Sequence, residues 1–140
     1  MTYLVTLTVE IDAGHRLRRH QGKCWNVHGH HYVFKVVVGS DKLTHDGFVI
    51  DFGDLKPLIK EVTDQLDHAF IYEKGDPVGD FIKSCGLKVV ELDCPPTAEN
   101  LAKFIFDHLN KRLKMTGLKL IKVECFETPY ASAVYEPQEK

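Results

Sequence analysis

The 140 residues carry 18 Lys and Arg against 20 Asp and Glu, a formal charge of −2 with His neutral. With no run of five or more like charges, the chain lacks the clustered basic surface that nucleic acid requires. A hydrophobic content of 44% with 27% charged residues excludes a disordered chain, and the length predicts a single domain over residues 1–140.

No apolar stretch approaches the roughly 18 residues of a membrane span. Met1 opens directly into a strand-like pattern with no apolar signal segment, so the expectation is a soluble, cytoplasmic protein without a membrane partner. From Val5 to Asp12 apolar residues (Val5, Leu7, Val9, Ile11) alternate with polar ones, the period-2 pattern of a half-buried strand. His28 to Val38 is rich in aromatic and β-branched residues and ends at Gly39-Ser40-Asp41, predicting a longer strand. A short strand-like run, Phe48-Val49-Ile50, follows the turn-like His45-Asp46-Gly47. Asp54 is then the expected cap of a helix with Leu55, Leu58, Ile59, Val62 and Leu66 at helical spacings, running to about Asp67. Pro57 falls within its first turn, where the missing N–H costs nothing.

Glu73 to Cys94 shows little periodicity and contains Gly75, Pro77, Gly79 and Gly86, which predicts a loop carrying short pieces of structure. After Pro95-Pro96, Thr97 is a good N-cap for a helix with Leu101, Phe104, Ile105, Leu109 and Leu113 on one face. Lys111, Arg112 and Lys114 suit its C-terminal dipole, and Gly117 ends it. Leu118 to Thr128 and Ala131 to Glu136 read as two strands joined at Pro129-Tyr130. This order predicts an α+β fold, an antiparallel sheet with two helices on one face.

Eight His make metal chemistry worth testing. His28 and His30 share one strand face by period 2, and a hairpin would bring His15 beside them, while Gly29 leaves the opposite face open. Three neutral imidazoles with a fourth position open is the donor set of a catalytic zinc; the alternative is that these are surface or satisfied core histidines. Cys24 has two readings. Its thiolate either closes the site as a fourth, structural ligand, or stands beside the metal and serves as a base, and composition does not choose. Asp67-His68 either forms a proton-handling dyad, which needs a non-helical turn because adjacent helical side chains diverge, or merely complements the helix dipole. Glu127 shares a strand face with Val123 and Cys125, so it either pairs within the fold or awaits a ligand with N–H donors. Cys24, Cys85, Cys94 and Cys125 allow two disulfides, but a chain of this size without a secretion signal is expected to keep them reduced. Arg16, Arg18, Arg19 and Lys23 form the local basic cluster, a solvated loop or a phosphate site.

Ala13-Gly14-His15-Arg16-Leu17, Cys24-x-x-x-His28-Gly29-His30, Leu66-Asp67-His68, Pro96-Thr97-Ala98-Glu99-Asn100 and Glu127-Thr128 together resemble the 6-pyruvoyl-tetrahydropterin synthase superfamily, in register over about 115 residues. The three residues between Cys24 and His28 look like the bacterial and archaeal 6-carboxy-5,6,7,8-tetrahydropterin synthases of the queuosine and 7-deazapurine route, and Cys24 excludes the variants with Glu there. Gly14, where the family usually has Ala or Ser, and Pro129-Tyr130 after Glu127-Thr128 depart from the animal-type pattern. The resemblance implies a tunnelling fold assembled into a barrel, commonly a dimer of trimers, with active sites between subunits. It implies that His15, His28 and His30 bind zinc, that Cys24, Asp67 and His68 handle protons, that Glu127 anchors a pterin ring, and that the Thr97 backbone sits near that ring. The implied reaction converts 7,8-dihydroneopterin triphosphate to the 6-carboxy pterin, acetaldehyde and triphosphate. Two rivals are the pyruvoyl-forming synthase, which breaks no carbon bond, and a non-catalytic zinc-stabilised module that holds a pterin or purine.

Overall fold

The computed structural model describes residues 1–138. Strand β1 (Tyr3–His15) and strand β2 (His28–Ser40) form a long antiparallel hairpin in which His15 pairs with His28 and Ala13 with His30. Helix α1 (Phe52–Thr63) follows, then strand β3 (Phe70–Glu73), helix α2 (Pro77–Ser84), strand β4 (Val89–Leu92), helix α3 (Ala98–Leu113), and strands β5 (Lys119–Thr128) and β6 (Ala131–Tyr135). One six-stranded sheet runs in the order β4-β3-β1-β2-β5-β6. The fold is α+β, as the element order predicts, but the sheet is mixed: β3 lies parallel to both β1 and β4.

The parallel edge comes from the segment 73–94, expected as a loop. Asp76 caps α2 by accepting from the Val78 amide at 3.0 Å, and Pro77 follows at the helix start, where its fixed φ is an advantage. α2 is thus a third helix, and it lies against a different surface from the other two. Ile71 joins the main core, whereas Tyr72 points to the opposite sheet face and packs under Gly79 of α2. The expectation of helices on one face holds for α1 and α3 and fails for α2.

Two local boundaries also differ. Asp51, not Asp54, caps α1 by accepting from the Gly53 amide at 2.8 Å, and Asp54 takes a first-turn position where its charge favours the helix dipole. Residues Phe48–Ile50 form a bend, and α1 ends at Thr63 in successive turns that reach His68. By contrast, Thr97 caps α3 as expected, accepting from the Asn100 amide at 3.2 Å, and Gly117 closes its C-terminal turn at φ 77°. Between α1, α3 and the sheet lies the core. Val9, Ile11, Phe34, Val36 and Val123 meet Leu55, Ile59 and Val62 of α1 and Leu101, Ile105 and Leu109 of α3. All four cysteines are free thiols, Cys125 within this core. No helix among the described residues is long and apolar enough to cross a membrane.

Candidate metal centre and catalytic site

At the end of the core nearest the connection between β1 and β2, the inward positions of the two strands change from apolar to imidazole. Strand parity puts His28 and His30 on the same face as Tyr32 and Phe34, and the register adds His15 across from His28. One donor atom from each of the three imidazoles lies within 4.8 Å of the others. Second partners fix how the rings are turned. Nδ1 of His15 donates to the Pro96 carbonyl at 2.8 Å, and Nδ1 of His28 donates to the Asn26 carbonyl at 2.7 Å. A carbonyl only accepts, so the Nε2 atoms of the neutral rings carry lone pairs, and these face each other at 3.0 Å. Two lone pairs do not bond; a cation between them satisfies both.

His30 adds a third donor, since its buried Nε2 has no hydrogen-bond partner, although Glu127 Oε1 lies 3.3 Å away. Burial holds the His15 imidazole below its ordinary pKa, against the Pro96 carbonyl that favours protonation, and the nearby His28 acts in the same direction as burial. Burial likewise lowers His30 despite the Glu127 carboxylate. Both rings are therefore held in the neutral form that binds metal. Convergent, with His15 and His28 backed by carbonyls and the His30 nitrogen left without a partner, the donor set fits a divalent ion of zinc type.

Cys24 sits in a 3-10 turn, Lys23–Trp25, and its sulfur lies outside the convergent set of donors. The closed one-Cys, three-His arrangement is thus not formed among the described residues. Glu127 follows Phe126, the last β5 residue in register with β2, and lies against His30 and near Cys125. The environment there is strongly apolar: burial first, and then the Glu127 and Glu99 carboxylates, push the Cys125 thiol up to about 12. Burial and the same Glu127 raise the Tyr32 phenol, whose hydroxyl has no partner. Glu99, in the first turn of α3, thus belongs to the surroundings of Glu127; the sequence reading quoted it within a motif without assigning it a role. Thr97 spends its side chain on the helix cap, while its neighbour Pro96 orients His15.

Asp67 and His68 lie on the other side of the sheet. The turn after α1 leaves His68 at φ 60°, the left-handed region, and this non-helical geometry makes the dyad possible: His68 Nδ1 stands 2.9 Å from Asp67 Oδ1. The same oxygen accepts from the Asp12 amide at 3.0 Å. Burial pushes the Asp67 carboxyl up, but the Asp12 amide and His68 outweigh it and hold the group below its usual value. Lys88 Nζ clamps the turn from outside through the Asp64 and Asp67 carbonyls, both at 2.7 Å. His68, His31, Asp12 and Lys88 border an open groove of about 870 Å³, whose floor contains Gly14 and Gly29. By strand parity Asp12, Gly14, Gly29 and His31 belong to the face opposite the convergent imidazole nitrogens.

The basic cluster is largely occupied. Arg16 bonds Asp76, and Arg18 and Arg19 bond Glu73. That arrangement favours the loop reading over a phosphate site.

The model of the 6-pyruvoyl tetrahydropterin synthase family matches residues 4–138. The chain belongs to that family. Among curated proteins it is 34% identical over 162 residues to the 6-carboxy-5,6,7,8-tetrahydropterin synthase of Aquifex aeolicus, covering 99% of this chain and 100% of that one. It is 38% identical to the protein of the same name from Rickettsia bellii, over 89% of this chain and 93% of that one. Among solved structures, the Caenorhabditis elegans 6-pyruvoyl tetrahydropterin synthase superposes with a TM-score of 0.73 at 27% identity, covering 97% of this chain and 96% of that one. A protein of Wolinella succinogenes superposes with a TM-score of 0.81 at 22% identity, over 98% and 100% of the two chains, a likeness of fold.

Proposed function

We propose that this family member is a zinc-dependent 6-carboxy-5,6,7,8-tetrahydropterin synthase, a lyase that converts 7,8-dihydroneopterin triphosphate and water to the 6-carboxy pterin, acetaldehyde and triphosphate, as in queuosine and 7-deazapurine biosynthesis. The observation that carries the reading is the orientation of the three imidazoles, His15 and His28 each locked by a carbonyl so that unprotonated nitrogens converge beside the His30 nitrogen that has no partner. The names of the curated relatives favour the carboxy-forming branch.

His15, His28 and His30 would hold the zinc, which supplies Lewis acidity toward the substrate's side-chain hydroxyls. Glu127 accepts hydrogen bonds from the pterin ring's N–H groups, with the Thr97 backbone near that ring. A carboxylate on an apolar strand face is suited to that task, because ligand donors satisfy it where water is sparse. Cys24, as thiolate, takes the C1′ proton. His68, oriented and charge-stabilised by Asp67 as the geometry of the pair permits, relays protons to the later intermediates. Because Asp67-His68 sits with the residues of the opposite sheet face, the dyad serves Cys24 of a neighbouring copy in a dimer of trimers with sites between subunits.

The test is to incubate zinc-loaded protein with 7,8-dihydroneopterin triphosphate and weigh the products. Acetaldehyde with the 6-carboxy pterin bears the reading out. A pyruvoyl product keeps the site but moves the enzyme to the branch without carbon bond cleavage, and no turnover by metal-replete protein points to a binding module.

A further inference from the structure

Cys24 lies in a turn that buries none of its residues. The flanking Trp25 is 51% exposed, so apolar packing does not fix this segment and its position depends on polar ties. Two of them hold the backbone at the carbonyls of Cys24 and Trp25. Leu17 N donates to the Cys24 carbonyl at 2.8 Å, and the Arg16 guanidinium donates to the Trp25 carbonyl at 3.4 Å while lying over the indole ring at 5.4 Å. Arg16 is itself anchored, since its Nε donates to Asp76 Oδ2 at 2.8 Å.

That anchor is buried and tied into α2. The Asp76 side chain is 1% exposed and its other oxygen caps α2, whose Gly79 is seated directly on the Tyr72 ring. A buried ion pair gains little over an apolar pair of the same shape, because desolvation offsets most of the attraction. What Arg16 and Asp76 do contribute is geometry: the planar guanidinium bridges the α2 cap and the Trp25 carbonyl, tying the Cys24 turn to an element outside its own loop. His15 and Arg16 are neighbours in sequence, one directed to the convergent imidazoles and the other to the Cys24 turn.

We propose that Arg16, held by Asp76, is the positioning residue that sets Cys24 against the metal centre. The inference rests on the reading of Cys24 as the proton-transfer group. The experiment compares Arg16→Lys, Asp76→Asn and Cys24→Ala in zinc-loaded protein, measuring kcat and KM separately. Alongside, it follows the rate at which iodoacetamide alkylates Cys24, mapped by peptide mass, with Cys85 at the end of α2 as the internal control. Lys keeps the charge but loses the fork, and Asn keeps the oxygen that caps α2 while turning a donor toward Arg16. If Arg16→Lys fails to fold, Asp76→Asn carries the test.

The expected result is kcat lower by roughly 10–100-fold with KM little changed, the scale on which misplacing a reacting group by about an ångström acts. Cys24 alkylation should change severalfold while Cys85 keeps its rate, and a variant combining Arg16→Lys with Asp76→Asn should be no worse than the worse single one. Wild-type kcat and an unchanged Cys24 alkylation rate in both single variants would overturn the inference, even with Cys24→Ala inactive. If Cys24→Ala still turns over while Arg16→Lys does not, the role of Cys24 itself fails, and with it the idea that Arg16 acts through it.

Discussion

Replacing Gly79 with Ala opposes two effects whose sizes are known. Ala is the better helix former by about 1 kcal/mol, so on propensity alone the variant is more stable. The site reverses that sign. A Cβ on Gly79 would overlap Cδ2, Cγ and Cε2 of the Tyr72 ring, far inside the ordinary contact distance of 3.4 Å and more. Tyr72 is fully buried and stacked on Phe70, so the ring has nowhere to go and α2 must lift by more than an ångström. An overlap this deep costs about 3 kcal/mol, the upper end of the usual overpacking range, which exceeds the propensity gain. The expected net loss of about 2 kcal/mol lowers the midpoint of thermal unfolding by roughly 5–10 °C in a domain of this size, read by circular dichroism. Because α2 carries Asp76, turnover should fall as well. A midpoint equal to or above that of the parent protein would refute the packing argument.

Thr97→Ala removes the cap on α3 and is expected to cost about 1 kcal/mol. It also loosens the Pro96 carbonyl that orients His15, so zinc affinity in a competition titration should drop by roughly 10–100-fold. Glu127→Gln should raise KM for the pterin substrate by roughly 10–100-fold, the loss of a charge-assisted hydrogen bond of about 1.5–3 kcal/mol, with a smaller effect on kcat. For metal-free protein, the buried His15 has a folded pKa below its unfolded value of 6.5. The unfolded chain therefore binds more protons in that window, and this contribution to stability is present above pH 6.5 and lost as pH falls through the depressed folded value. His31 opposes it. Its pKa is raised by the hydrogen bond to Asp12, so its contribution is present below 6.5 and lost as pH rises, but full exposure makes it small. Urea midpoints from about pH 7.5 to about pH 5 should thus fall, and His15→Asn should flatten the profile.

Elements whose pattern repeats over many residues were legible in the sequence. β1 shows unbroken alternation, β2 is rich in aromatic and β-branched residues along its length, and α3 has Thr97 at one end and Gly117 at the other. The convergence of the three histidines was legible for the same reason: His28 and His30 share a face by parity alone, and one hairpin register brings His15 to them. β3 and β4 have four residues each, too short for a period to emerge, and α2 has eight. The Asp76-Pro77 dipeptide, a cap followed by a residue preorganised for the first turn, was the one local signal for α2. Asp51 and Asp54 are equally competent caps by type, and only the reach of Asp51 to the Gly53 amide separates them. The pair Arg16–Asp76 joins positions sixty residues apart, and no local pattern in either segment announces it.

The central claim is that three histidines hold the metal while Cys24 stands apart from it to move a proton. Zinc content and turnover measured on the same preparation of Cys24→Ala test both halves at once. The account predicts that the variant stays folded, keeps the zinc stoichiometry of the parent protein and loses turnover of 7,8-dihydroneopterin triphosphate. Loss of zinc in that variant would make Cys24 a ligand and contradict the account, as would full turnover with zinc in place.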